Sequence, residues 1–198
     1  MKQDPVMIGC CGSNLASLRF AFERLGAEIE VSDDPERLRH ATHVVLPGVG
    51  AALDAMGRLE RLGLTELLPT LTVPVLGICL GMQLLFRRSD EEDATCLGII
   101  DADVERLPGT AELPIPEMGW NQLLFDEATA LTRGIEPGAY AYFVHSYAAP
   151  PGPYTRAVTE YGQPFSSVVE QGNFYGTQFH PERSSATGAR ILENFLSI

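Results

Sequence analysis

The stretch VPVLGICLGMQLLF, residues 73–86, decides how this chain is read. Its first apolar run suits a buried strand and its second a buried helix. Between the two, Gly77 and Gly81 flank Cys79 symmetrically. A tight strand-to-helix turn pushes a side chain out of the sheet, and glycines on either side remove Cβ atoms that would clash there. The start of the following helix lowers a thiol pKa and offers free N–H groups to an oxyanion. Gly77–Gly81 therefore fits a cysteine nucleophile. A small buried cysteine packed in a glycine-punctuated corner fits it as well.

Outward from this corner the rhythm is strand, helix, strand. PVMIGC (5–10) reads as a short strand ending in the turn CCGSN, and a helix from about Ser13 to Leu25 stops at Gly26. AEIEV (27–31) and HVVLPGVG (43–50) predict two more strands, and helical sequence runs from Ala51 to about Leu71 with a break at Gly63. VPVLGI is the fourth strand, with LGMQLLFRR as the helix after it. Such alternation means a parallel sheet covered on both faces. From Leu97 onward, strands follow one another without long helices (ADVERL, WNQLLF, AYAYFVHSY, YTRAVTEYG, SSVVEQ, NFYGTQFH), which predicts antiparallel additions to that core before a last helix at 187–196. The expected class is α/β: one domain over 1–198, a largely parallel central sheet flanked by helices, with antiparallel strands added in the C-terminal half.

Composition excludes several functions. The net charge of −12 repels nucleic acid, which is bound through Lys and Arg on phosphates, and argues against this chain alone binding a heavily phosphorylated metabolite. No apolar stretch is long enough to span a membrane, and MKQDPVMIGCCG is not a signal peptide, so the expected location is cytoplasmic. The four cysteines lack zinc spacing, adjacent Cys10 and Cys11 would bridge only with strain, and free thiols are expected. The acid run Ser89–Asp93 reads as a solvated loop without function.

A nucleophilic cysteine needs a base. His40 and His43 read as surface or edge residues, and His145, inside YAYFVHSY, as a satisfied core or cleft histidine. His180 differs. It stands in GTQFHPERS, where Pro181 biases it toward extended backbone, so His180 and Glu182 face one side together. A carboxylate beside an imidazole fixes its tautomer and stabilises the imidazolium. LPGVG (46–50) ends the third strand beside the fourth, where a glycine-flanked N–H at Val49–Gly50 could join the Leu80 N–H against an oxyanion at Cys79. A plain βα turn would look the same.

GICLGMQLLF followed by GTQFHPERS resembles the class I, triad-type glutamine amidotransferases. SNLASL (13–18), LPGVGAALDAM (46–56), MGWN (118–121), YFVHSY (142–147) and GARILENFL narrow the likeness to glutaminase subunits that serve histidine biosynthesis. The resemblance covers essentially the whole chain. It implies Cys79 as nucleophile, His180 as base, Glu182 as its orienter, and Leu80 with Val49 and Gly50 as the oxyanion hole. Gln83 and the backbone of Ser146 and Tyr147 would hold the amino-acid end of L-glutamine. It further implies a heterodimer with a (β/α)8-barrel synthase subunit that takes the ammonia and makes imidazole glycerol phosphate and aminoimidazole carboxamide ribotide. Asn14, Trp120, Asn121, Tyr142 and Arg183 would meet that partner. No metal and no cofactor are implied. Two positions depart from the family pattern: Ser13 replaces a glycine, and Glu117 stands where a histidine is usual. The alternatives are a paralogue feeding another synthase, for example in surface-sugar amidination, a stand-alone γ-glutamyl hydrolase, or a catalytically silent binding module, which the intact triad disfavours.

Overall fold

The computed structural model describes residues 3–11 and 15–198. In chain order the first half runs β1 (Pro5–Met7), α1 (Leu15–Arg24), β2 (Glu30–Val31), α2 (Pro35–Arg39), β3 (His43–Gly48), α3 (Ala52–Arg61), α4 (Leu64–Leu67), β4 (Val75–Cys79) and α5 (Leu80–Gln83). The second half runs β5 (Phe86–Ser89), β6 (Ala94–Thr95), β7 (Ile100–Arg106), β8 (Glu117–Gln122), β9 (Tyr140–His145), β10 (Tyr147–Ala148), β11 (Thr155–Tyr161), β12 (Gln163–Gln171), β13 (Phe174–Thr177) and α6 (Ser185–Leu196).

A seven-stranded sheet in the order β11-β12-β13-β4-β3-β1-β2 forms the centre. β13, β4, β3, β1 and β2 are mutually parallel, and β12 and β11 add antiparallel at one edge. Strand alternation explains why both faces are apolar. Val44, Leu46 and Val75 point into the cluster containing Leu59 and Leu64 of α3 and α4. Val45, Leu76 and Ile78 point into the opposite cluster with Phe22 of α1 and Ile191 and Phe195 of α6. The expected class is observed. In the second half β11, β12, the β8–β9 ribbon and β10 pair antiparallel, whereas β13 joins the core parallel to β4 and β7 runs parallel to β5. The helix break falls at Gly63, where φ is +69°.

Three expectations are corrected. The helix after Cys79 ends at Gln83, and Phe86–Ser89 is instead strand β5, parallel to β7 and antiparallel to β6. Leu84, Leu85 and Phe86 are all fully buried, and a wholly buried apolar run carries no period to separate helix from strand. Arg87 bonds Asp101 and Asp103 on neighbouring β7, a strand-to-strand pairing that fixes it in the sheet. Next, β2 is confined to Glu30–Val31, because three-residue β1 offers it only two partners. Finally, α2 is an additional helix between β2 and β3, and Asp34 caps it through the Glu36 N–H at 3.0 Å with Pro35 in the first turn.

Candidate active site

Parallel strands bring their carboxyl ends together, and here that end is where the predicted site lies. Gly48 is registered opposite Cys79, and Thr177 opposite Ile78, so the chain leaving β3, β4 and β13 converges on one crevice. Cys79 has φ +53° and ψ −111°, a backbone conformation that aims its side chain out of the sheet. Its glycine neighbours are there for close approach. A Cβ on Gly81 would sit 1.8 Å from the Leu46 carbonyl oxygen, and one on Gly77 2.6 Å from that of Gly81. A Cβ on Gly48 would lie 2.7 Å from the Gly81 nitrogen. The corner can form only if all three side chains are missing.

His180 arrives from the opposite direction, just past β13. Its N–H donates to the Tyr142 carbonyl at 3.0 Å, and its own carbonyl accepts from the Ser184 hydroxyl at 2.7 Å. The ring Nδ1 lies 3.1 Å from Glu182 Oε1. His180 itself is extended, as expected, but Pro181–Arg183 is a 3-10 turn, so the turn and not an extended strand brings Glu182 back to the imidazole. Burial alone would lower the His180 pKa; hydrogen bonding to Cys79 and Glu182 outweighs this and raises it to about 10. The imidazole is thus poised as a proton holder between a thiol and a carboxylate.

Around this pair lies a cleft of about 400 Å³ lined by Val49, Gly50, Leu80, Gln83, Ser146 and Tyr147, with Cys79 and His180 among its walls. The nucleophile, its base and every expected oxyanion and substrate position therefore meet in one cavity, and Glu182 stands behind the base. Gln83 is not idle there: its amide donates to the Tyr147 carbonyl at 2.7 Å and to Gln178 Oε1 at 3.0 Å. The Val49 N–H donates to the Cys11 carbonyl at 3.1 Å, so it is committed away from Cys79.

One family description matches residues 6–198: glutamine amidotransferase class-I. The chain belongs to that family. Two relatives of this amidotransferase are each 50% identical and described as imidazole glycerol phosphate synthase subunit HisH. The Vibrio cholerae protein aligns over 100% of both chains, and the Xanthomonas campestris protein over 98% of both. A crystal structure of a glutamine amidotransferase from Thermotoga maritima superposes with a TM-score of 0.68 at 20% identity, covering 100% of this chain and 84% of its own, which shows a shared fold.

Several positions in this amidotransferase fall differently from expectation. Trp120 and Tyr142 are cross-strand neighbours on the outer face of the β8–β9 ribbon, ring centroids 6.1 Å apart, and the Arg183 guanidinium stacks 4.5 Å from the Tyr142 ring. Asn121 is separated from them: its amide points inward to Glu117 and to the Glu160 carbonyl, each at 2.9 Å. Strand alternation sends residues 120 and 121 to opposite faces. Asn14 and the Ser13 departure lie outside the described residues. The acid run is not all solvated loop, because Glu91 lines the cleft and its carboxylate accepts the Ala52 N–H at 2.9 Å. No local signal marks it, since only the tertiary fold brings the turn at 91–93 against α3. His43 is buried against Phe195 and not an edge residue.

Proposed function

We propose that this amidotransferase hydrolyses L-glutamine to glutamate and ammonia at Cys79, and that the ammonia passes to a synthase subunit of (β/α)8-barrel form in histidine biosynthesis. The observation that carries the chemistry is the placement of Cys79 and His180 in one cleft of about 400 Å³, with Glu182 Oε1 3.1 Å from the His180 ring. The thiol gives its proton to His180, and the resulting sulfur anion attacks the side-chain carboxamide carbon. The tetrahedral oxyanion is taken by the Leu80 N–H and, once the Cys11 contact is released, by the Val49–Gly50 loop. His180 then protonates the departing nitrogen, the C–N bond breaks, and ammonia leaves behind a glutamyl thioester. Water, deprotonated by His180, attacks the thioester, and the C–S bond breaks to give glutamate and the Cys79 thiolate, which takes its proton back from His180.

The amino-acid end of the substrate fits the opposite wall, with backbone of Ser146 and Tyr147 for its carboxylate and the Glu91 carboxylate available to its ammonium. A cytoplasmic site of action goes with this reading; among the described residues no helix is long and apolar enough to cross a membrane. The outer β8–β9 face, where Trp120 and Tyr142 stand beside Arg183, is the docking face of this reading. The test is glutamate release by the chain alone, then in complex with the nucleotide-bound barrel synthase, against Cys79→Ala. Activity that rises in the complex and is abolished in the variant is the expected result. Strong activity without response to the partner would remove the histidine-pathway assignment, and activity surviving in Cys79→Ala would remove the mechanism.

A further inference from the structure

Glu117, the first residue of β8, faces His145, the last of β9, directly across the antiparallel ladder. Both side chains are 3% exposed, and Glu117 Oε2 lies 3.2 Å from His145 Nε2. Neither atom has a hydrogen-bond partner among the described residues, so the two buried atoms face each other at ion-pair distance with nothing else to satisfy them. The other ring nitrogen, Nδ1, is 2.9 Å from the Tyr147 carbonyl oxygen. A carbonyl only accepts, so Nδ1 carries a proton. The carboxyl oxygen, if ionised, also only accepts, so the 3.2 Å approach is favourable only with a second proton on Nε2 or Oε2. Whichever of the two atoms holds that proton, Nδ1–H stays on Tyr147. An uncharged imidazole facing an apolar neighbour could turn or change tautomer; one held by a carboxyl group cannot.

The brace is anchored at one end and holds the Ser146–Tyr147 wall at the other. Glu117 Oε1 accepts from the Asn121 amide, which is itself tied to the Glu160 carbonyl. The Tyr147 carbonyl accepts from His145 and from Gln83; Gln83 donates to Gln178, and the Gln178 amide lies 3.8 Å from Cys79 Sγ. The Ser146 carbonyl is meanwhile held by the Leu107 N–H at 2.9 Å. Both carbonyls of the Ser146–Tyr147 wall are thus taken up by protein donors, and a planar trans peptide then turns the Tyr147 N–H away from Leu107.

We propose that Glu117, acting through His145, is a positioning residue that fixes the Ser146–Tyr147 wall for the amino-acid end of the substrate. The inference rests on the glutaminase reading above. Because the brace acts on the binding wall and not on Cys79, its loss shows in KM more than in kcat. With the complex, Glu117→Ala raises the glutamine KM by roughly tenfold and leaves kcat within about threefold. Glu117→Gln, whose amide can donate to Nε2 and leave the Nδ1 proton on Tyr147, keeps KM within about threefold of wild type. Wild-type KM in Glu117→Ala, or equal defects in both variants, overturns the inference. Imidazole nitrogen resonances of His145 in the unsubstituted protein decide it independently of whether Glu117→Ala folds: a protonated Nδ1 is expected, and an Nε2-only tautomer overturns it. An inactive wild-type complex would fail the glutaminase reading instead, while the nitrogen resonances still judge the brace.

Discussion

Cys79 holds its φ of +53° without being glycine, a conformation that costs an L-residue roughly 1–3 kcal/mol. The gain is placement: the thiol stands clear of the sheet, 3.9 Å from the Val144 carbonyl and in the cleft that His180 also lines. His180 also carries a stability consequence. Its pKa is raised from an ordinary 6.5 to about 10, against the pull of burial, by hydrogen bonding to Cys79 and Glu182. The folded protein therefore holds a proton that the unfolded chain has released. His180's contribution is complete below about pH 6.5, falls as pH rises, and is gone above about pH 10. Urea unfolding of wild type and Glu182→Gln across this window is the check. The wild-type advantage should shrink steadily toward the alkaline end; a constant difference would mean that Glu182 does not act through the imidazolium.

At the scale of elements, the strand-to-helix corner depends on backbone packed against backbone. Gly81→Ala forces a Cβ onto the Leu46 carbonyl, where neither β3 nor α5 can retreat without breaking the sheet, and more than about 4 kcal/mol of stability should be lost. Gly26→Ala, at φ +79° with open space around it, should cost only about 1 kcal/mol. Denaturant midpoints for the pair separate close approach from conformational freedom, and equal losses would contradict the packing argument. The same corner explains what is legible in the sequence. Gly77, Cys79 and Gly81 form a local pattern with a local cause, and Pro181 with Glu182 marks His180 within a few residues. β5 stays hidden because the apolar run that leads into it, Leu84–Phe86, is wholly buried and carries no period. Glu91 and the Glu117–His145 pair are hidden for another reason: their partners, Ala52 and the ladder across β8 and β9, are distant in sequence, and neither residue stands in a pattern that names its contact.

Across the whole molecule, the outer face of the β8–β9 ribbon gathers three exposed large apolar side chains. Met118, Trp120 and Tyr140 are 65%, 52% and 54% exposed on the outside of the β8–β9 ribbon, whose inside holds His145 and Glu117. A chain with a net charge of −12 that leaves such a face open is suited to a partner that covers it. Trp120→Ala should weaken the complex with the synthase by about 2 kcal/mol, read by titration calorimetry, with the melting temperature of the free chain unchanged. Unaltered affinity would place the docking face elsewhere. The central claim, that Cys79 is the nucleophile, is tested most directly by reacting the protein with a chloroketone analogue of glutamine and mapping the adduct by peptide mass spectrometry. The expected result is a single adduct on Cys79, suppressed by glutamine, with Cys10, Cys11 and Cys96 untouched. A glutamine-protected adduct on any other residue would contradict it.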